Sequence, residues 1–350
     1  MSNKKNTHLS HRQRLELGMT AAWETEAKWL PLLRPLSKTY QFFSEQKKSH
    51  YASGKKSAYH APVPVLVVGN ITVGGSGKTP LIIALVKYLQ SKGVAVGVIS
   101  RGYGREGSEP ALVHADSTPK DAGDEPCLIV SETGVPMAVG VNRGQAIDLL
   151  IKNHPNLQLI ISDDGLQHYA LHRDVEWIVV DVARGFGNGK LLPEGFLREP
   201  LSRLEGADVI YHHKNAQSIK DSTHTATMYL APARPVPLLG GVSEKQPPTG
   251  RVYAMTGIGY PARFFEMLTA LGFSVVSVPK PDHHVFSSAD FTDLTDLPIF
   301  ITAKDAIKVR TLVNEQTEHL FKNTWVLPVT AVLSEGVKAM ADALVERLGL

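Results

Sequence analysis

From Val63 onward the chain alternates short, nearly unbroken apolar runs with longer stretches whose apolar residues recur every three or four positions. The runs 65–70 (VLVVGN), 94–100 (VAVGVIS), 136–141 (PMAVGV), 157–162 (LQLIIS) and 176–181 (EWIVVD) predict strands, and 78–92 and 143–153 predict helices. Strands that are apolar at successive positions are buried on both faces, so in alternation with helices they predict a parallel sheet. A second βα array follows, with strands at 251–256, 273–278, 298–302 and 325–330 and helices near 261–271, 304–313 and 335–348. The Pro- and Gly-rich stretch 231–250 between them marks a boundary. The expected organisation is α/β: a core over 61–230, a linker over 231–250, and a second, smaller βα domain over 251–350.

Residues 1–60 have a different texture. Pro31 and Pro35 forbid one straight helix and predict two pieces, about 20–30 and about 35–47. Trp29, Leu33, Leu36, Tyr40 and Phe43 follow one another at spacings of 4, 3, 4 and 3, one face of a helix. Here eleven Lys and Arg stand against four Glu, a net of +7, so the rest of a chain of formal charge +3 is net −4. A basic amphipathic helix with tryptophans suits an anionic membrane surface, where each Lys or Arg contributes about 1 kcal/mol. The same stripe also suits packing on the domain behind it, and both hold if it rims a lipid-facing cleft.

Composition narrows the classes. Gly 29 and Pro 22 in 350 residues exclude collagen-like and low-complexity chains. The single cysteine, Cys127, excludes a disulfide framework and reads as a reduced, half-buried thiol. No apolar run reaches the roughly 18–20 residues that cross a bilayer. No apolar segment follows the first lysines as a secretory signal would require, so a cytoplasmic location is expected. A basic segment without a reader fold on a net-acidic body argues against nucleic acid as partner.

The sharpest chemical feature is Thr72-Val73-Gly74-Gly75-Ser76-Gly77-Lys78-Thr79, directly after the strand 65–70 and before the helix 78–92. Its glycines let backbone N–H groups converge on a phosphate, and the helix N-terminus adds partial positive charge. Lys78 can reach the β- and γ-phosphates of ATP, and Thr79 offers a hydroxyl to Mg²⁺. Thr72 replaces the first glycine of the usual pattern, a position that shapes the turn rather than touching phosphate. The core is therefore expected to be a P-loop NTPase-like parallel sheet. Two strands end in acids able to serve Mg²⁺: Asp163-Asp164, adjacent carboxylates that call for a cation, and Asp181, which reads more readily as a helix N-cap. Asp163-Asp164-Gly165-Leu166 and Thr302-Ala303-Lys304-Asp305 each miss a guanine-switch pattern by one position, which favours phosphoryl transfer from ATP.

Three more clusters carry chemistry: Ser100-Arg101-Gly102-Tyr103-Gly104-Arg105, Asp121-Ala122-Gly123-Asp124-Glu125-Pro126, and Asp282-His283-His284. A kinase acting on a sugar hydroxyl needs a carboxylate or imidazole to accept the proton, and a His oriented by a carboxylate is a common pairing. Asp282-His283-His284 also has the composition of a metal site, although adjacent His side chains rarely point the same way. His212-His213, without acidic neighbours in sequence, reads as ordinary surface.

Taken with VGNITVGGSGKTP (68–80), DDGLQH (163–168), GNGKLLPEGFLREP (187–200), TGIGYPARFF (256–265), PDHHVF (281–286) and TAKDAIK (302–308), these clusters resemble the tetraacyldisaccharide 4′-kinase family of lipid A biosynthesis. The resemblance runs from about Trp23 to the C-terminus. Thr72 looks like that family's own variant, whereas Glu194 and Phe196 depart from its usual smaller or Pro residues. The resemblance implies a kinase that moves the γ-phosphoryl of ATP to the 4′-hydroxyl of a tetraacylated glucosamine disaccharide 1-phosphate, giving lipid IVA. It implies Asp124 as general base paired with His283, and Lys78 and Thr79 on the phosphates and Mg²⁺ with Ser76 nearby. Asp164 with Asp163 would complete the metal environment, Glu199 would support the catalytic site, and Tyr103 with Arg101 or Arg198 would hold the disaccharide and its phosphate. Read from the residues alone, Tyr103 can equally pack, Arg101 can form a structural ion pair, and Glu199-Pro200 can start a helix. A glycolipid substrate makes the expected location peripheral, on the cytoplasmic face of the inner membrane through the N-terminal helix. A soluble small-molecule kinase would have no use for that basic aromatic segment, and a nucleotide switch would need a guanine reader.

Overall fold

The structure, a computed structural model, describes residues 11–220, 222–240 and 246–350, without the side chains at 11–14, 16 and 17. Lys4, Lys5, the side chains of Arg12, Arg14 and Glu16, and the linker stretch 241–245 lie outside the described residues.

The strands are β1 (Val65–Gly69), β2 (Val96–Ser100), β3 (Ala111–Val113), β4 (Met137–Val139), β5 (Leu159–Asp163), β6 (Val175–Asp181), β7 (Asp208–His213), β8 (Thr227–Pro232), β9 (Val236–Pro237), β10 (Arg251–Thr256), β11 (Ser274–Pro279), β12 (Ile299–Thr302), β13 (Thr324–Leu327) and β14 (Val329–Leu333). Among the described residues they form two sheets, ordered β14-β8-β7-β6-β1-β5-β2-β4-β3 and β11-β10-β12-β13-β9. The run from β8 to β4 is parallel, and antiparallel β14 and β3 close its edges. In the second sheet β11, β10, β12 and β13 are parallel, and β9 is antiparallel.

The apolar runs explain why the large sheet is buried on both faces. Alternate residues of β1 separate into two cores: Leu66 and Val68 face one with Ile161, Trp177 and Leu85, while Val65 and Val67 face the other with Ile160, Ile178 and Ile147. The P-loop NTPase-like parallel sheet, the second βα array and the N-terminal helical segment expected from the sequence are all present.

The unit boundaries differ from those expected. The run 325–330 is not one strand: Pro328, which has no N–H to give to a ladder, separates β13 in the second sheet from β14 in the first. β14 pairs with β8, and the last helix, Glu335–Leu348, buries Val337, Ala341 and Leu344 in the core of the first sheet. The final twenty-odd residues of the stretch expected as a C-terminal domain (251–350) thus complete the N-terminal lobe. Conversely, β9, inside the expected linker, pairs with β13. The chain leaves the first lobe near Ala233 and returns at Pro328, and the two crossings touch through Ala233 N–H donating to the Pro328 carbonyl at 2.9 Å.

The N-terminal helices His11–Glu24 and Arg34–Ala52 flank a short 3₁₀ turn, Leu30–Leu33. They dock by polar anchors. Trp23 Nε1 donates to the Pro193 carbonyl at 3.0 Å, Tyr40 Oη donates to the Arg198 carbonyl at 3.0 Å, and Arg34 pairs with Glu194 at 3.0 Å. Ser37 Oγ donates to the Leu191 carbonyl at 3.0 Å while accepting the Glu194 N–H at 2.9 Å. The five-residue stripe divides accordingly: Tyr40 is docked, whereas Leu36 and Phe43 are 58% and 61% exposed, with Leu32 and Phe42 beside them in solvent. Glu194 thus has a purpose that the sequence concealed, receiving Arg34. Cys127 is buried rather than half-buried. No described helix is long and apolar enough to cross a membrane.

Replacing Ser37 by Ala removes a buried donor–acceptor and leaves the Glu194 N–H unpaired, while the Leu191 carbonyl keeps only the Gly195 N–H. The expected loss is about 1–3 kcal/mol of unfolding free energy in a denaturant titration. A change below about 0.3 kcal/mol would mean that this anchor does not hold the helix.

Candidate active site

The helix Lys78–Ser91 starts from Gly77, whose φ of 90° lies in the left-handed region. A Cβ there would stand 2.5 Å from His212 Nδ1, so glycine is required by both backbone and space. Lys78 Nζ donates to Asn70 Oδ1 at 3.0 Å and pairs with Asp164 at 3.4 Å. Asp164 also receives Arg198 at 2.9 Å. Burial opposes ionisation of Asp164, but Lys78 and Arg198 outweigh it and hold the carboxyl down at about 2. Its φ of 47°, unusual for a residue with a side chain, is the kind of backbone strain found at functional sites.

Asp163 differs from its neighbour. It ends β5 fully buried, accepts Ser100 Oγ at 3.3 Å, and is pushed well above the carboxylate range by burial and by the charges of Glu125 and Asp164. Its Oδ1 is buried with no hydrogen-bond partner among the described residues, and so is Ser76 Oγ. Two orphaned oxygens beside a phosphate loop, with Thr79 on the first turn of the helix, fit a hard divalent cation completed by phosphate oxygens and water. Among the described residues no group of three or more His, Cys, Asp and Glu side chains could hold a metal by itself.

The opposite wall is built by both lobes. Asp124 opens the helix Asp124–Thr133 and lies 3.3 Å from His283 Nδ1, 3.5 Å from Lys308 Nζ and 3.8 Å from Lys304 Nζ. Burial acts to raise its pKa, but Lys304, the hydrogen bond with His283 and Lys308 together hold the carboxyl far below its usual range. Lys304 also pairs with Glu125 at 2.8 Å, and those two carboxylates keep its ammonium charged despite burial. The Tyr103 ring lies 4.6 Å from that of His283. His284 turns away to Asp290 at 3.2 Å, so the neighbouring imidazoles serve different partners.

Between these walls lies a cleft of about 980 Å³. Residues 73–79, Arg101, Tyr103, Asp163, Asp164, Arg198 and His283 all line it. Three expected site residues do not. Thr72 lies under the loop, where it accepts Asn70 Nδ2 at 3.0 Å. Asp124 sits behind His283. Glu199 is at the back, accepting Gln167 Nε2 at 2.6 Å and pairing with Arg203 at 3.2 Å.

Two sequence readings are overturned. His212 is fully buried and His213 nearly so, because β7 is an interior strand of the sheet. Asp181 caps no helix: its Oδ1 accepts the N–H groups of Ala183 and Arg184 in a turn, and pairs with Arg263 at 2.6 Å. Asn70, Arg184, Arg263, Lys304 and Lys308 were assigned no role from sequence. Four of them stand in or beside the quoted motifs, but no local rule says that a lysine on one helix meets an aspartate some 180 positions earlier.

The comparisons with known proteins agree with this geometry. Residues 29–348 match the family described as Tetraacyldisaccharide-1-P 4'-kinase. Relatives named Tetraacyldisaccharide 4'-kinase include one from Psychrobacter arcticus, 49% identical, with 96% of each chain covered. Another, from Pseudomonas aeruginosa, is 41% identical over 94% of this chain and 97% of its own. A crystal structure described as the "apo" form of LpxK from Aquifex aeolicus in complex with ATP superposes with a TM-score of 0.70 at 27% identity, covering 91% of this chain and 99% of that one. With the match spanning nearly the whole sequence, this chain belongs to the tetraacyldisaccharide 4'-kinase family.

Proposed function

We propose that this protein transfers the γ-phosphoryl group of ATP to the 4′-hydroxyl of tetraacyldisaccharide 1-phosphate, the step that yields lipid IVA. The observation that carries this reading is the Asp124–His283 pair, assembled from two lobes on the wall facing the phosphate-binding loop. In the reaction a bond forms between the 4′-oxygen and the γ-phosphorus, the bond from γ-phosphorus to the β,γ-bridging oxygen breaks, and ADP leaves. The hydroxyl proton passes to the Asp124–His283 dyad. His283 faces the cleft and meets the hydroxyl, while ionised Asp124 behind it fixes the ring and stabilises it once it is charged.

Residues 73–79 cradle the phosphates, and Lys78, now resting on Asn70 and Asp164, turns to the β- and γ-oxygens. Ser76, Thr79, Asp163 and Asp164 would hold Mg²⁺, which would neutralise developing phosphate charge. Arg101, Tyr103 and Arg198 line the cleft as the contacts for the disaccharide and its phosphate. Glu199 supports them indirectly through Gln167, which accepts Arg198 Nη1 at 3.2 Å. The exposed Leu32, Leu36, Phe42 and Phe43 among basic residues rest on the cytoplasmic face of the inner membrane, where the acyl chains of the substrate reside.

Incubation with labelled ATP and the tetraacyl disaccharide 1-phosphate in detergent is expected to give labelled lipid; transfer to a water-soluble sugar instead would overturn the assignment. Asp124→Asn and His283→Ala are each expected to lower kcat about 10²–10⁴-fold with a much smaller effect on the KM for ATP. Kinase rates comparable to those of the unsubstituted protein would remove the dyad from the mechanism. Replacing Phe42 and Phe43 together by Ser is expected to cut sedimentation with anionic phospholipid vesicles about tenfold or more, given about 1.5–3 kcal/mol per large apolar side chain buried. Unchanged sedimentation would refute membrane docking through this helix.

A further inference from the structure

Asp181, at the end of β6, joins three parts of the molecule. Its Oδ1 accepts the N–H groups of Ala183 at 3.1 Å and Arg184 at 3.2 Å, and Arg263 Nη2 at 2.6 Å. Arg263 belongs to the helix Pro261–Ala270 of the second lobe, yet it reaches into the first. Its Nη1 lies 2.8 Å from Nδ1 and 3.1 Å from Nε2 of His212, whose Nδ1 also lies 2.9 Å from the Ser76 carbonyl. A guanidinium only donates and a carbonyl only accepts. With its proton on Nδ1 the neutral ring donates to the Ser76 carbonyl, and Arg263 Nη1, within 3.1 Å of both ring nitrogens, then has Nε2 as its acceptor on the ring.

The turn capped by the same aspartate carries Arg184, whose Nη1 donates to the Val73 carbonyl. The carbonyls of Val73 and Ser76 are thus both tied to side chains outside the loop. Across a planar trans peptide the C=O and the following N–H point in opposite directions. Tying those carbonyls therefore fixes the direction of the Gly74 and Gly77 N–H groups, which are donors for a phosphate.

We propose that Arg263 is a positioning residue for nucleotide binding: acting through His212, it fixes the Ser76–Gly77 peptide, so that the phosphate affinity of the loop depends on a group supplied by the second lobe. This rests on the reading of residues 73–79 as the ATP site.

The test measures ATP dissociation constants on the full chain, with lipid phosphorylation followed separately. Arg263→Met and His212→Leu are each expected to weaken ATP binding about 10–30-fold, the size of one lost buried hydrogen bond, with kcat at saturating ATP changed less than about threefold. Because both act on one peptide, the double variant is expected to lose no more than the worse single variant. His212→Gln, whose amide can donate to Ser76 and accept from Arg263, is expected to recover most of the affinity lost in His212→Leu. Arg263→Met binding ATP within about twofold of the unsubstituted protein, or losses that add in the double variant, would overturn the proposal. Should Arg263→Met fail to fold, the two His212 variants decide: equal affinities overturn it and about a tenfold gap sustains it. An unsubstituted protein that binds ATP but leaves the lipid unlabelled would count against the proposed function, and the ATP affinities would still decide this inference.

Discussion

A buried carboxylate must be neutralised where it stands, and at Asp124 the two lysines that do so, Lys304 and Lys308, come from the other lobe. The first lobe supplies a negative charge at the start of the helix Asp124–Thr133, and the second supplies His283, Lys304 and Lys308. The pairing therefore does two things. It holds the lobes face to face across the cleft, and it brings the one cleft-facing imidazole of that wall opposite the phosphate loop. Lys304 extends the contact by pairing with Glu125, so the acidic turn 121–126 and the helix Ala303–Arg310 form one interface.

The sheets prepare that meeting. In a parallel sheet the carboxyl ends of the strands collect on one edge, and here β1, β2, β5 and β6 deliver the phosphate loop, Arg101, Asp163-Asp164 and Asp181 to it. The second lobe presents its own strand ends to the same space, through the turns after β10 and β11. The backbones come close enough that a Cβ on Gly259 would lie 2.5 Å from the Gly75 nitrogen, so the loop after β10 packs directly on the phosphate loop. Because the chain crosses between lobes twice, at neighbouring points, the second sheet is an insertion, β9 to β13, between strands β8 and β14 of the first.

Much of this was legible beforehand. Val65–Gly69 followed by a glycine loop and Lys78 announced a phosphate site, since strand, turn and helix are local properties, and the ordered motifs announced the family. The strand 325–330 was misread because hydrophobicity alone does not say which sheet a residue joins; Pro328 ends one ladder and the next begins elsewhere. His212 was misread for a related reason. Its sequence neighbours say nothing about burial, which follows from β7 lying between β6 and β8. The aromatic stripe was half right: periodicity gave the helix, but docking chose Ser37 and Tyr40 and left Leu36 and Phe43 outside.

The amino-acid sequence by itself determined the elements, the phosphate-binding loop and the family, because these depend on residues near one another along the chain. Only the tertiary structure decided which groups share a charge. Asp124 with His283, Lys304 and Lys308, Asp181 with Arg263, and Arg34 with Glu194 are each separated by 82 or more positions. Their pairing follows from how two sheets and a helical strap come together in a medium too dry to leave a charge alone.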